Sequence, residues 1–113
     1  MDESEIPLTP EAAAENARVA AERIVERVTS LLAERHKVIE REKLRGLNTD
    51  ESERLRAIEL DLEQFGGQLE SLTTKVSAWE EHAWSKRDLE AARSFRRTGE
   101  KLRTTIVEIY KGH

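Results

Sequence analysis

Histidine is the residue type with the clearest capacity for acid–base chemistry or metal binding at neutral pH, and the chain has three: His36, His82 and His113. The first two fall on different predicted helices, at unequal distances from the predicted turn. They therefore lie about 36 Å apart, at about 1.5 Å of rise per helical residue. His36 and Glu40 share one helical turn, a spacing typical of a surface hydrogen bond. We predict neither a catalytic site nor a metal site.

Other signatures of chemistry are missing from the sequence. It contains no glycine-rich phosphate loop, nucleophile elbow or zinc signature. The absence of cysteine excludes disulfides, thiolate catalysis and cysteine-ligated metals. The carboxylates are scattered along predicted helices, as expected for solvated helix faces. We therefore expect a protein that is not an enzyme and needs no cofactor.

The composition favours long helices. Charged residues make up 37 % of the chain and aromatic residues 4 %, a mixture typical of helices that each bury one apolar stripe. No apolar run is long enough to span a membrane, and the acidic N-terminus is unlike a signal peptide. We expect a cytoplasmic location and no membrane partner. Because a thin core of this kind usually leans on a partner chain, we also expect a homo-oligomer, with a dimer favoured.

The first predicted helix covers about residues 10–45. Residues 1–8 read as a disordered acidic lead-in, followed by Thr9 as N-cap and Pro10 at the first helical position. The alanine-rich first half would let a neighbouring helix approach closely. Gly46 predicts the helix end, and Thr49 is expected to cap a second helix over about 49–84. Three connecting residues imply an antiparallel helical hairpin.

The second helix carries apolar residues at alternating spacings of three and four, the coiled-coil period. Gly66 and Gly67 interrupt it, but the residues that follow keep the phase of those that precede. We predict that the helix continues through the pair, which then acts as a weak point or hinge, or admits another backbone. The stripe comprises Leu55, Ile58, Leu62, Phe65, Leu69, Leu72, Val76 and Trp79.

A third helix is predicted over about residues 85–110. Ser85 and Asp88 fit a capping box at its start. Its direction is open: it either folds back or extends the second helix. Residues 46–84 carry three basic and nine acidic groups, net −6, whereas residues 85–113 carry eight and four, net +4. Folding back is favoured because it would lay the basic helix along the acidic one. The predicted fold is a single all-α domain, a long antiparallel hairpin plus a C-terminal helix, in a three-helix arrangement that self-associates.

Large apolar residues near the junction of the second and third helices are the predicted anchors for a protein partner. The alternative is that they fill the core where helices cross. The expected function is that of a small adaptor or regulator that presents helix faces. The predicted partner contacts are Phe65, Leu69, Leu72, Val76, Trp79, Trp84 and Phe95.

A basic cluster on the third helix supports a competing function. Arg93, Arg96, Arg97 and Lys101 fit one face of this helix, and such a face would contact nucleic-acid phosphate or an acidic partner. The alternative is pairing with the acidic second helix. Nucleic acid is the less favoured partner, because the net charge is negative and few aromatic residues are available to stack on bases.

Residues 24–64 resemble the DUF2630 family of small actinobacterial proteins of unknown function. The similarity is carried by SLLAERHKV, residues 30–38, and by RGLNTDESERLRAIELDLEQ, residues 45–64, which includes the predicted turn and both flanks. The chain departs from the family at Phe65-Gly66-Gly67, where the family continues Cys-Trp-Asp and then a basic run. The resemblance implies a helical hairpin and no known activity.

A shorter resemblance involves a nucleotide. Glu90, Ser94 and Arg97 have the spacing of the start of the cyclic-di-GMP motif in a family of coiled-coil anti-sigma factors. This chain has Lys101 and Thr105 where that motif has Gln and Asp. The likeness therefore covers only the start of the motif.

Overall fold

The computed structural model describes residues 9–111, which form three helices: α1 (Pro10–Arg45), α2 (Thr49–Ser85) and α3 (Leu89–Lys111). α1 and α2 are an antiparallel hairpin, and α3 folds back and packs against both. This part of the chain contains no strand, so the predicted all-α, three-helix architecture is confirmed. The predicted lead-in, residues 1–8, lies outside the described residues. None of the three helices has a segment long and apolar enough to cross a membrane.

The first helix begins where the sequence predicts. The Thr9 hydroxyl accepts a hydrogen bond from the Ala12 amide at 3.1 Å, and Pro10 occupies a position that needs no amide donor. Ala13, Ala14 and Ala21 are buried against the other helices. Their small side chains let α1 lie close to its neighbours, as the alanine-rich segment predicts.

The turn between α1 and α2 has a different cap from the predicted one. Gly46 adopts φ 73°, and its amide donates to the Glu42 carbonyl oxygen at 3.0 Å. Asn48, rather than Thr49, is the N-cap of α2, since its side chain accepts from the Glu51 amide at 2.8 Å. Glu51 in turn accepts from the Asn48 amide at 3.3 Å, completing a capping box. Thr49 is already the first helical residue.

The predicted start of the third helix at Ser85 is wrong by four residues. Ser85 is the last residue of α2, and its hydroxyl donates to the His82 carbonyl oxygen at 2.7 Å. The backbone amide of Arg87 then donates to the Trp84 carbonyl oxygen, and the backbone amide of Asp88 donates to the Ala83 carbonyl oxygen. These are the two hydrogen bonds of a Schellman motif. Arg87 holds the left-handed position at φ 58°, where glycine is usual.

Asp88 is the residue that starts α3. Its side chain accepts from the Ala91 amide at 3.1 Å, and its carbonyl oxygen accepts the first helical bond, from Ala92. The predicted box assigned the hydroxyl of Ser85 to the cap and the carboxylate of Asp88 to its partner. The actual cap is the carboxylate, because Ser85 still belongs to the preceding helix.

The prediction that α2 continues through its two glycines is confirmed. A Cβ atom on Gly66 would lie 3.3 Å from the Tyr110 hydroxyl oxygen, so α3 approaches α2 closely here, through a side chain. A Cβ atom on Gly67 would have no neighbour within 4 Å. One glycine of the pair therefore accommodates a contact, and the other sits on open surface.

The molecule divides into two parts because α3 is shorter than the hairpin. α3 ends near Arg35, whose guanidinium reaches the Ile109 carbonyl oxygen. Residues 34–58 border α3 only at the end where Arg35 and His36 lie and continue past it as a two-helix segment, called the tip below; the remainder of the three helices is called the body. Most of the fully buried large side chains, including Phe95, Leu69 and Leu102, belong to the body.

Candidate functional site

His36 and His82 lie at opposite ends of α3 and do not share a site. His36 lies on the exposed surface of α1 and lines a groove with Lys111, at the C-terminal end of α3. His82 lies in the last turn of α2, at the opposite end of α3, with its ring edge-on to Trp79 at 5.4 Å. His113 lies outside the described residues. Residues 9–111 contain no group of three His, Asp or Glu side chains placed to hold a metal ion.

Three of the seven predicted partner contacts lie inside the chain's own core. Leu69, Val76 and Phe95 have almost no exposed surface. Phe65, Leu72 and Trp79 are half-buried and pack against this core. The structure thus gives most of the set a packing role, as the alternative interpretation expected. Contact with a partner stays a prediction and depends on the exposed members.

The aromatic residues at the junction fill the contact between α2 and α3. The rings of Trp79 and Phe95 are nearly parallel, with centroids 6.0 Å apart. Stacking of this kind adds to the stabilisation that burial alone provides. The junction therefore joins helices of one chain through its aromatic cluster.

Trp84 is the predicted contact that remains available. Its side chain is 45 % exposed, and its indole nitrogen donates to Glu80 at a long 3.4 Å. Leu89 lies across the short turn from it and is 49 % exposed. The hydrogen-bonded Schellman turn fixes the backbone between these two residues. Both side chains are thus exposed near the N-terminal end of α3.

The predicted partner contacts leave out Leu89, Val107 and Tyr110, all about half exposed. Leu89, Arg96, Arg103 and Tyr110 are spaced by seven residues and thus follow one flank of α3. Tyr110 touches Gly66 of α2, and the Arg103 guanidinium covers Gly99 beside Val76 of α2. This flank therefore borders α2. The sevenfold spacing was the available signal, but it lies just outside the buried stripe.

The four predicted basic residues of α3 are exposed and do not pair with α2. Arg96 contacts Glu100 on its own helix at 3.7 Å. Arg97 and Lys101 instead face α1, where they line a groove of about 210 Å³ with Arg18 and Glu22. Among residues 9–111, no ion pair joins α2 to α3. α3 folds back as predicted, but apolar burial, rather than attraction between opposite charges, holds it there.

The groove between α1 and α3 has its own internal ion pairs. Arg18 donates to Glu15 and to Glu22, one turn away on either side. The hydrogen bond from Arg18 lowers the pKa of Glu15, and the two carboxylates raise the pKa of Arg18. Arg18 is therefore already paired within α1. The cations that face the groove without such a pairing in the described structure are Arg97 and Lys101.

Arg35 is a structural residue that sequence reasoning did not identify. It is only 6 % exposed and donates to the Ile109 carbonyl oxygen at 3.3 Å. A cation is favourable at this place because the carbonyl groups at a helix C-terminus carry partial negative charge. Ala14, Ala21, Val28 and Arg35 repeat every seven residues on the buried face of α1, which was the signal for its burial.

Comparison of the chain with protein-family models, with curated proteins and with solved structures found no match. The resemblance of residues 24–64 to the DUF2630 proteins therefore stays a prediction. So does the likeness of Glu90, Ser94 and Arg97 to the start of a nucleotide-binding motif.

Proposed function

We propose that this chain is a non-enzymatic protein–protein interaction module, a small cytoplasmic adaptor or regulator that acts by presenting helix faces. The observation that carries the proposal is the group of large apolar side chains exposed on the α2–α3 side of the body. Trp84 and Leu89 lie at one end of this side, and Val107 and Tyr110 at the other.

An exposed tryptophan on a fixed backbone is well suited to anchor a partner. Tryptophan and tyrosine are enriched among the residues that dominate binding energy at interfaces. The Schellman turn between Trp84 and Asp88 holds the adjacent backbone in place, so binding costs little conformational entropy there. Both features support recognition by shape and apolar contact.

Affinity capture from the native lysate, with and without nuclease, tests the proposal. We expect a stoichiometric protein partner that survives nuclease and is lost when Trp84 and Leu89 are both replaced by alanine. Leu44→Ala is the matched control, because Leu44 is 86 % exposed but lies in the tip. Circular dichroism checks that the variants keep their helices. If the partner is still captured after both Trp84 and Leu89 are replaced, this surface is not the binding site. An enzymatic turnover that is abolished by replacing His36 or His82 would contradict the non-enzymatic assignment.

A second candidate is a transcription-associated regulator that contacts nucleic acid or a nucleotide through α3. It is favoured by one observation: Arg93, Arg96, Arg97 and Lys101 are exposed rather than neutralised by the acidic helix beside them. Phosphate binding through these residues predicts a steep fall in affinity with salt. It also predicts that Arg96→Glu combined with Arg97→Glu abolishes binding while the helices persist. A double variant that unfolds, or binding that is indifferent to salt, would make the basic surface structural.

A further inference from the structure

The exposed flanks of α2 and α3 carry opposite charges and run side by side. On α3, Arg96 and Arg103 lie between the apolar residues Leu89 and Tyr110. On α2, the flank beside α3 is marked by Gly66, since Tyr110 touches it. Residues three, four or seven positions from Gly66 share its side of the helix.

The α2 flank is acidic. The exposed carboxylates on it are Glu59, Glu63, Glu70 and Glu81, and it ends at Trp84, five helical turns from Gly66. Arg56 joins the flank at its far end, where it lines a groove with Glu59, Glu63 and Tyr110, whereas between Gly66 and Trp84 its charged residues are Glu70 and Glu81. It therefore presents a row of negative charge next to the two arginines of α3, and the described structure contains no ion pair between the two rows.

We infer that this face binds a second copy of the chain, with the twofold axis parallel to the helices. A twofold axis in that direction places the acidic flank of each copy on the basic flank of the other. A twofold axis across the helices would instead bring acid against acid. The parallel arrangement is therefore the self-complementary one, as a twofold interface requires. The inference rests on the proposed function and names its partner.

The levels of the residues along the helices fit this arrangement. Tyr110 touches Gly66, and Val76 lies 3.5 Å from a Cβ atom built on Gly99, which fixes the antiparallel register of α2 and α3. In this register Arg103 lies within one turn of Glu70. A twofold axis parallel to the helices leaves the position of every residue along the helix axis unchanged. Arg103 of one copy therefore faces Glu70 of the other.

The same register pairs the remaining residues of the face. Arg96 lies level with Glu81, and Leu89 lies next to Trp84. Tyr110 lies level with Gly66 and Gly67, and the surface over Gly67 is open. The second copy thus places arginine opposite glutamate, Leu89 opposite Trp84, and Tyr110 opposite the open surface at Gly67.

The available area is adequate for a dimer. α3 has 23 residues, which is about 34 Å of helix, and two adjacent helices are about 20 Å wide. The face therefore offers about 700 Å² per copy. Standard protein–protein interfaces bury about 800 Å² on each partner.

Charge reversal with rescue tests the interface in the full chain. Analytical ultracentrifugation should show a dimer whose dissociation constant rises about tenfold or more for Arg103→Glu alone and for Glu70→Arg alone, since each creates like-charge contacts. The double variant carrying both changes should dimerise again, because the new pairs are opposite in charge. Arg23→Glu, an exposed site on α1, is the matched control and should leave the constant unchanged.

A second measurement covers the case in which a charge variant fails to fold. The chain has no cysteine, so Ser77→Cys and Glu63→Cys each accept a single spin label. A parallel dimer gives both sites short intermolecular distances of similar size, on the order of two helix spacings or ~20 Å. A monomeric chain, a dimer that ignores both charge reversals, or distances that differ strongly between the two sites would overturn the inference.

The outcomes also separate this inference from the proposed function. Capture of a foreign protein by a chain that stays monomeric would leave the interaction module standing and remove the dimer. A dimer with the predicted charge rescue that captures no other protein would establish the interface and remove the adaptor role.

Discussion

The body and the tip share the same helices but are held together by different interactions. In the body, α3 covers the hairpin, and the large buried side chains come from all three helices. In the tip, only Val38 and Ile58 are fully buried apolar residues. The ion pairs that join separate helices within residues 9–111 all lie in the tip: Glu34 with Arg54, and Glu51 with Arg41 and Arg45.

This difference indicates that the body contributes more to the stability of the fold than the tip does. Apolar burial is worth about 25 cal/mol per Å², whereas an exposed ion pair is usually worth ~1 kcal/mol or less. The Glu34 and Arg54 side chains are 40 % and 51 % exposed. Helix pairing in the tip is therefore weaker than in the body, and we expect the tip to open first when the protein unfolds locally.

The largest expected effect on stability comes from creating a cavity in the core of the body. Phe95→Ala should lower the free energy of unfolding by about 3–5 kcal/mol, because it leaves a cavity at a fully buried position where α2 and α3 meet. Urea denaturation followed by circular dichroism measures the loss. Leu44→Ala in the tip is the control, with an expected change within about 0.5 kcal/mol. A loss at Phe95 no larger than that at Leu44 would show that the Phe95 ring does not contribute the stability that its burial implies.

The two turns should respond to substitution in opposite directions. Arg87→Gly should stabilise the protein by about 1 kcal/mol, since it relieves a left-handed conformation that is costly for a side chain. Gly46→Ala should destabilise it by about 1 kcal/mol for the converse reason. Thermal unfolding of the two variants measures both effects. A loss of stability in Arg87→Gly would show that the arginine makes contacts that outweigh its strain.

Alanine at the two glycines of α2 should stabilise the body unequally. Gly67→Ala should gain up to ~1 kcal/mol from helix propensity, because nothing surrounds the added atom. Gly66→Ala should gain less, since its Cβ atom would displace the Tyr110 hydroxyl from 3.3 Å. Thermal unfolding at low protein concentration isolates the monomer. Equal gains in stability would mean that the Tyr110 side chain moves aside at no cost. A loss of stability in Gly67→Ala would show that the helix requires a glycine there as a hinge.

The smallest expected effect is the pH dependence of the tip. Hydrogen bonds from Arg54 and Arg45 lower the pKa of Glu34 and of Glu51, respectively. A carboxylate with a lowered folded pKa stabilises the folded state above its unfolded pKa, and this contribution is lost as the pH falls through the folded value. Amide hydrogen exchange, corrected for intrinsic rates, should therefore show weaker protection of residues 34–58 near pH 3 than near pH 7.

The matched variant for this prediction is Glu34→Gln. It removes the titrating charge and should reduce the pH dependence of protection at the base of the tip without altering the body. If protection falls equally in Glu34→Gln and in the unmodified chain, carboxylates elsewhere govern the acid sensitivity of the tip.

Periodicity and local capping chemistry determined much of the fold from the sequence. The unbroken phase from Phe65 to Leu69 predicted that α2 would continue through its glycines, because a turn would have no reason to preserve the phase. Thr9 and Gly46 marked the two ends of α1 through hydrogen bonds to residues close in sequence. Such signals are local, so they can be read without knowing which helices pack together.

Only the tertiary structure decided which residues are surface and which are core. Leu69, Val76 and Phe95 were predicted as partner contacts, but α3 folds back against α2, so these residues are buried between helices of the same chain. Arg35 shows the converse case: a charged residue at a buried position, which makes sense only because the end of α3 arrives beside it. The apolar stripe of a helix states that a face must be covered. It does not indicate whether the same chain or a partner chain covers that face, because burial against either one removes the same apolar surface from water.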